Sequence, residues 1–311
     1  MPASPAASDP TSAPLRVAFA GKSDVAGTAL RIETPWLAGE ATEEIFPVAV
    51  SAGDKEGIRL FRSGGLLVGC LSEPFVPTDL SARSESLYRR ILSATRGLHI
   101  CRIWNYLPQI NSRLDGLEHY QAFCQGRSLA FERVLGDEFQ PRLPAASAVG
   151  AGGDRIDAVF VASEKVPQHF ENPQQIPAYL YPPEHGPRSP SFSRATAVHD
   201  GRAAWVFISG TAAIKGHQTV APGELEPQLD CTLDNLRLIG RSTGLGNTLG
   251  AGRVARRHFK VYLRHAADLA ATQARLRREL LAPGDRVTYL HAEICRETLV
   301  VEIEATICTD E

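Results

Sequence analysis

Short apolar runs alternate with longer amphipathic stretches along most of the chain. The short runs are rich in β-branched and aromatic residues and end at Gly or Pro turns, which predicts strands. The longer stretches repeat apolar residues every three to four positions, which predicts helices. After a first strand at 15–21, the predicted order is strand, helix, strand, helix and two strands. These elements cover the segments 64–74, 79–97, 98–107, 117–135 and 147–163.

The second half of the chain repeats this order of elements. The corresponding segments are 203–212, 224–244, 258–269, 269–281, 287–295 and 299–306. Any chain with alternating helices and strands shows some similarity of this kind, so coincidence is the alternative. The repeat predicts an α+β fold of two mixed-sheet domains packed together, residues 15–170 and 171–311. Residues 1–14 are small, polar and Pro-rich, and we expect a disordered tail there.

The two copies differ in one strand. When segment 157–163 is aligned with segment 300–306, Val159 corresponds to Glu302 and Val161 to Glu304. A strand that only packs would keep valine, because an unpaired buried carboxylate is costly. The first copy therefore looks structural and the second functional. The alternative is a solvated face, since residues 302 and 304 point to the same side of a strand.

The segment 291–307 predicts a β-hairpin that turns at Arg296–Thr298. Such a hairpin would bring Cys295 close to Glu302. Cys295 could equally be a small residue of the core, because free cysteine is among the most buried residue types.

Composition excludes several functional classes. The net charge of -2 gives no electrostatic drive toward nucleic acid or an anionic membrane. No apolar run reaches the roughly 20 residues of a membrane span. Six scattered cysteines without a CxxC pair, and nine histidines without a metal-binding spacing, predict reduced thiols, a cytoplasmic location and no metal. The segment 244–252 is Gly-rich but lacks the GxGxxG spacing and its context, so we expect no cofactor.

The second half, from Pro187 to Ile307, resembles the RidA/YjgF/UK114 family in its Ser-Gly strand end, its Q…N helix and its closing EIEA strand. Five further segments, in order along the chain, resemble the chorismatase family, and its branch that forms 3- and 4-hydroxybenzoate. They are RIWNYLPQIN, YQAFCQGRSLAF, YPPEHGPRSPSFSRA, FISGTAAIKGHQT and ICRETLVVEIEA. This resemblance implies a degenerate N-terminal RidA-like (chorismate-mutase-like) domain before a catalytic RidA-like domain. RidA proteins are trimers, and a fused duplicate favours a monomer, with a trimer as the alternative.

The resemblance also implies a substrate and a site. Chorismate would release pyruvate after a general acid protonates its enolpyruvyl methylene, giving 3- and 4-hydroxybenzoate as pigment or quinone precursors. Glu302 is the expected acid, because burial keeps a carboxyl group protonated near neutral pH, and Cys295 the expected determinant of product. The expected substrate-binding residues are Arg127, Tyr120, Tyr179, Arg188, Arg264, Gly210 and Ala213, with Ala212 as an alternative to its neighbour. The rival functions are a chorismate hydrolase that forms a dihydroxycyclohexadiene, a RidA-like enamine or imine deaminase, and a non-catalytic ligand-binding protein.

Overall fold

A computed structural model of the protein describes residues 13–20 and 28–310. Most of the predicted tail, residues 1–12, lies outside the described residues. The last two residues of that predicted tail already belong to the first strand, which begins at Ala13.

The described part of the chain forms four α-helices and a series of strands. The helices are α1 Leu80–Ala94, α2 His119–Leu135, α3 Leu225–Ser242 and α4 Leu269–Glu279. The strands of the first half are β1 Ala13–Ala20, β2 Thr28–Gly39, β3 Thr42–Lys55, β4 Ile58–Ser63, β5 Leu66–Pro74, β6 His99–Pro108, β7 Arg113–Leu114, β8 Leu117–Glu118, β9 Ala145–Ala151 and β10 Arg155–Ser163. The remaining strands are β11 Gln168–Phe170, β12 Ala195–His199, β13 Ala203–Ala212, β14 Ile214–Lys215, β15 Gln218–Thr219, β16 Arg256–Leu263, β17 Arg286–His291 and β18 Val301–Asp310.

One mixed sheet of 14 strands contains the same five-stranded arrangement twice. The first copy has the order β4-β5-β10-β6-β9 and the second the order β12-β13-β18-β16-β17. In each copy the third strand is antiparallel to both neighbours, and the last two strands are parallel to each other. The predicted α+β class and the internal repeat are therefore confirmed. The domain boundaries at 15–170 and 171–311 stay a prediction.

The register of the sheet agrees with the alignment of the two copies. Val159 on β10 pairs with Trp104 on β6, and Glu302 on β18 pairs with Tyr262 on β16. Two residues further along, Val161 pairs with Arg102, and Glu304 pairs with Lys260. The carboxylates of β18 therefore stand where the first copy has buried valines.

Three strands join the two copies; the sequence pattern predicted β1, as the strand at 15–21, but not β2 and β3. β1, β2 and β3 lie between β17 of the second copy and β4 of the first. Pro35 and Pro47 interrupt the apolar pattern of β2 and β3, and proline inside a run argues against a strand. A shift of register accommodates Pro35, which pairs with Ala20 beyond a β-bulge.

The hairpin predicted for residues 291–307 is wrong. β17 and β18 do not pair with each other, because β16 lies between them, parallel to β17 and antiparallel to β18. Parallel strands need a crossover, and α4 supplies it between β16 and β17. Residues 292–300 therefore form a crossing loop rather than a tight turn, and Cys295 lies in that loop.

The sheet curves so that its two ends approach each other. Ala145 on β9 forms a bridge with Ser193, and the Ala146 amide donates a hydrogen bond of 2.9 Å to Ser209 Oγ. The inner face encloses a core that draws residues from both copies and from β1 to β3, including Trp104, Phe207 and Tyr262. On the outer face, α1 and α2 cover the first copy and α3 and α4 cover the second. Within the described residues, no helix is long and apolar enough to cross a bilayer.

Candidate active site

A cavity of about 200 Å³ lies between the two halves of the chain. The first half contributes the start of α2, and the second contributes β13, β18 and the loops around residues 185 and 295. The cavity is lined by Arg113, Glu118, Tyr120, Gln121, Tyr181, Glu184, His185, Pro190, Phe192, Arg194, Gly210, Ala212, Ile214, Cys295, Arg296 and Glu302. Of the predicted site residues, Glu302, Cys295, Tyr120 and Gly210 are brought together here.

A β-bulge makes room for Glu302. The pairing of β13 with β18 gains one residue between Ile208 and Thr211, so that Ser209 and Gly210 form the bulge. A Cβ atom at position 210 would overlap Oε1 of Glu302 and would approach Ser147 Cβ to 3.2 Å. Glycine is therefore required here by the close approach of the carboxyl group.

Of the two alanines that follow this bulge, Ala212 lines the cavity and Ala213 does not. Ala213 is fully buried in a small apolar cluster with Ile294 and Leu299. The expectation for Ala213 is corrected on this point, because consecutive residues of an extended chain point to opposite sides.

Glu302 is a buried acid whose pKa favours the protonated form. Glu302 is 3% exposed, and no described residue donates a hydrogen bond to its carboxyl group. Burial raises its pKa to about 8, and the negative charge of Glu304 adds to this, while Arg102 and Arg194 act in the opposite direction. The carboxyl group therefore carries its proton at neutral pH and borders the cavity.

Glu304 is held ionised by a buried network of charges. Lys260 Nζ lies 2.7 Å and Arg102 Nη2 lies 2.6 Å from its two carboxylate oxygens. Tyr262 donates a further hydrogen bond of 3.2 Å, and Lys260 also pairs with Glu43 at 2.6 Å. Burial alone would raise the pKa of Glu304, but Lys260 and Arg102 lower it to about 2. Two carboxyl groups on one strand face thus differ in charge because their partners differ.

Cys295 is a protonated thiol, because burial and the nearby Glu302 raise its pKa to about 12. Arg264 fixes the loop that carries it. The guanidinium donates hydrogen bonds to the carbonyl oxygens of Leu299, Ile294 and Arg296 at 2.7, 3.2 and 2.9 Å. Arg264 is absent from the cavity lining. It was predicted as a substrate ligand, and the geometry instead makes it a support for this loop.

Three other predicted binding residues lie outside the cavity lining. Arg127 is 1% exposed and packs within α2, with its guanidinium over Phe123. Arg188 forms an ion pair of 2.9 Å with Glu132. Tyr179 packs against the outer core of the first half. The sequence pattern alone does not distinguish an arginine that packs inside the protein from one that points into the cavity.

Tyr120 lines the cavity as predicted, and burial, with Cys124 and Cys295 nearby, raises its pKa well above the usual value for tyrosine. Its hydroxyl therefore stays a hydrogen-bond donor. Glu118 is a second carboxyl group in the lining, but it already has hydrogen-bond partners. It forms a capping box with Gln121 at the start of α2 and accepts a hydrogen bond of 3.0 Å from Asn111. Glu118 is thus a weaker candidate than Glu302 for proton transfer.

Two arginines of the cavity were missed as ligands. Arg194 is 4% exposed and donates to the Tyr181 hydroxyl at 2.9 Å. Its Nε has no hydrogen-bond partner among the described residues, and the nearest carboxylate, that of Glu171, is 3.8 Å away. Arg296 lies with its Cζ 5.4 Å from the ring centre of Tyr181 and donates to the His217 carbonyl at 2.8 Å. Both arginines lie inside segments that resemble the chorismatase family, and this position was the sequence feature that could have identified them.

The polar residues of α3 hold the cavity walls in place. Gln228 and Asn235 are two helical turns apart on the same face. Gln228 Nε2 binds the Thr298 carbonyl at 2.8 Å, and its Oε1 accepts from the Val300 amide at 2.9 Å. Asn235 Nδ2 binds the Ala212 and Ile214 carbonyls, both at 3.0 Å. The Q…N pattern of the sequence is therefore a support for the loops before β18 and after β13.

One group of side chains at the cavity has donor atoms suited to a metal ion. Glu184, His185 and His217 each offer one ligand atom, and these atoms lie within 4.8 Å of one another. Burial, together with Arg296, lowers the pKa of His185, which keeps its imidazole neutral. Glu184 and His185 are adjacent in sequence but His217 is 32 residues further on, so spacing rules had no pattern to detect.

Known proteins match most of the chain. A family model described as chorismatase FkbO/Hyg5-like, N-terminal, matches residues 45–162. A chorismatase from Streptomyces hygroscopicus is 37% identical over 270 residues, which are 83% of this chain and 76% of the relative. The chain belongs to the chorismatase family.

A 3-hydroxybenzoate synthase from the same organism is 38% identical over 219 residues, covering 67% of this chain and 63% of the synthase. The chain thus spans less than two thirds of that relative's length. A chorismatase crystal structure aligns with 98% of this chain and 95% of its own, at TM-score 0.79 and 30% identity. A RidA structure from an Antarctic Psychrobacter aligns with 45% of the chain at TM-score 0.33.

The buried acid makes the stability of this chorismatase-family protein dependent on pH. The unfolded carboxyl group titrates near a pKa of about 4.3, whereas the folded one titrates near 8. A group whose pKa is higher in the folded than in the unfolded state contributes its full stabilisation of the folded protein below the unfolded pKa. This contribution is lost as the pH rises toward the folded pKa. Glu302→Gln should remove this slope, so its advantage over the wild type should grow from about zero at acid pH to on the order of 5 kcal/mol at alkaline pH.

Urea unfolding of both proteins across this pH range measures the effect. Glu297→Gln, which changes an exposed carboxylate in the loop before β18, should follow the wild-type curve. A constant difference between Glu302→Gln and the wild type at all pH values would show that Glu302 is not protonated in the folded protein.

Proposed function

We propose that this protein converts chorismate to pyruvate and 3-hydroxybenzoate, with 4-hydroxybenzoate as a second product that would serve pigment or quinone synthesis. The observation that carries the proposal is the buried, protonated Glu302 at a cavity that also contains Arg194 and Arg296. The similarity to a chorismatase supports chorismate as the substrate, and the similarity to a 3-hydroxybenzoate synthase supports 3-hydroxybenzoate as the product.

The first step is proton transfer from Glu302 to the enolpyruvyl methylene. The C–H bond forms, the enol-ether double bond is consumed, and an oxocarbenium ion remains beside the new Glu302 carboxylate. A general acid is most effective when its pKa lies near the working pH, and a pKa of about 8 meets that condition. The new ion pair forms in a buried site, where electrostatic stabilisation is strong.

Arg194 and Arg296 are proposed to bind the two carboxylates of chorismate. Arginine matches a carboxylate with two parallel N–H donors. Arg194 Nε has no hydrogen-bond partner within the described residues. Arg296 lies on the Tyr181 ring, beside the loop that carries Cys295. The hydroxyl groups of Tyr120 and Tyr181 supply further polar contacts at the same wall.

The second step determines the product. In the intramolecular route, the ring hydroxyl attacks the neighbouring ring carbon, the C–O bond to the side chain breaks, and pyruvate leaves with its carbonyl restored. The hydroxyl proton returns to the Glu302 carboxylate, which leaves an epoxide on the ring. When the epoxide opens, one C–O bond breaks, its oxygen gains a proton, and the ring carbon that keeps the oxygen loses one, which gives the aromatic hydroxybenzoate. No water is consumed. Cys295, as a neutral thiol at the cavity wall, offers no base to activate a competing water.

Glu302→Gln should lower kcat by about 10²- to 10⁴-fold, because the amide cannot transfer the proton. KM should change little, since the substrate carboxylates contact other residues. The assay incubates the protein with chorismate and follows pyruvate and aromatic products. Glu118→Gln is the comparison, because it changes the other carboxyl group of the lining. A larger loss with Glu118→Gln than with Glu302→Gln would contradict the assignment of the acid.

Glu304→Gln should move the alkaline limb of the kcat/KM profile to lower pH. The negative charge of Glu304 raises the pKa of Glu302, so its removal lowers that pKa, and the active protonated form is lost at a lower pH. Glu43→Gln is a matched control, because Glu43 also pairs with Lys260 but is not among the groups that shift Glu302. Equal shifts in both variants would assign the effect to Lys260 instead of Glu304.

Cys295→Ala should change the product without abolishing turnover. The smaller side chain leaves space for a water beside the oxocarbenium ion, so a fraction of the product should become the dihydroxycyclohexadiene carboxylate. Chromatography of the products with pyruvate quantification measures this ratio. Cys231→Ala, a buried cysteine outside the lining, is the control. Hydroxybenzoate as the sole ring product of Cys295→Ala, with no dihydroxycyclohexadiene carboxylate, would contradict the role of Cys295.

A further inference from the structure

Three side chains at the mouth of the cavity each place one possible ligand atom close to those of the other two. His185 Nε2 and His217 Nδ1 are 3.0 Å apart. Oε1 of Glu184 lies 3.6 Å from His185 Nε2 and 3.4 Å from His217 Nδ1. The mean of these separations matches a tetrahedral zinc ion, since bonds of about 2.05 Å hold ligand atoms about 3.3 Å apart.

We propose that Glu184, His185 and His217 bind one first-row divalent cation, with Zn²⁺ as the preferred ion. Two imidazoles and one carboxylate form a ligand set that zinc uses in proteins, with a fourth position open to water or another ligand. The inference goes beyond the proposed function, because none of the proton-transfer or carboxylate-binding steps uses these three residues.

The surroundings make the site accessible. The side chains of His185 and His217 are 19% and 22% exposed, and that of Glu184 is 63% exposed, so an ion can enter from solvent. The Tyr181 ring contacts both imidazoles, at centroid distances of 5.1 and 6.4 Å, and limits their rotation.

One positive charge opposes metal binding. Arg296 donates to the His217 carbonyl and lies over the Tyr181 ring, so it is close to the proposed ion. The carboxylate of Glu184 offsets this charge. The ion would also connect two segments that are separate in sequence, the turn at Pro183–His185 and the loop between β14 and β15. A bound ion should therefore raise the thermal stability of the protein by mass action.

The experiment titrates tag-free, full-length protein with Co²⁺, which reports its coordination through visible d–d absorption, and then displaces it with Zn²⁺. We expect saturation at one ion per chain, a higher Tm and full reversal by a chelator. His185→Gln and His217→Gln should each weaken binding by more than about tenfold, because even the loss of a residue that supports a metal ligand weakens binding 10- to 100-fold. His265→Gln, at an exposed histidine, is the matched control and should bind as the wild type does.

Circular dichroism checks that each variant is folded. The absence of saturable d–d absorption would overturn the proposal, and so would wild-type affinity in His217→Gln. Thiolate-to-cobalt charge-transfer bands would also overturn it, since they would place the ion on the cysteines. These readouts do not involve chorismate, so they are independent of the proposed reaction.

Discussion

Four charged side chains buried inside the curved sheet hold the molecule together. Glu43, Arg102, Lys260 and Glu304 come from β3, β6, β16 and β18, which span both halves of the chain and the strands that join them. Isolated buried charges are strongly destabilising, so each one requires the others at hydrogen-bonding distance. A shift of register in any of these strands would break the network, which makes it a constraint on the pairing of the whole sheet. The apolar inner core around it, by contrast, tolerates substitution as long as volume is conserved.

The network also explains how a duplicated fold became asymmetric. Arg102 and Lys260 occupy equivalent positions in the two copies. Each pairs with the strand residue that lies two positions after Val159 in the first copy or after Glu302 in the second. In the first copy that partner is Val161, and in the second it is Glu304. One carboxylate in the second copy therefore binds cations from both. Because these cations are engaged by Glu304, Glu302 has neither hydrogen bond nor ion pair among the described residues, and its proton is retained.

The sequence predicted those parts of the molecule that depend on local periodicity. The four helices and four of the five strands in each copy followed from apolar spacing, and Glu302 was found by comparing two copies of one strand. The order of strands in the sheet is not local, so the hairpin at 291–307 was predicted where β16 in fact intervenes. The arginines show the same limit. Arg127 and Arg194 are equally buried, and only the three-dimensional fold places Arg194 at the cavity and Arg127 among the packed side chains of α2.

The charges of the cavity determine whether the resting state of Glu302 persists when an anionic ligand binds. A dianion such as chorismate would raise the pKa of a nearby carboxyl group, whereas Arg194 already lowers that of Glu302. If each carboxylate pairs with one arginine, the added negative charge cancels the positive charge of the arginines, and the pKa of Glu302 rises toward the value set by burial and by Glu304. A cavity with only one arginine would raise that pKa further and weaken the acid. The presence of two arginines is therefore consistent with an acid whose strength is set mainly by burial and by Glu304, before the ligand arrives.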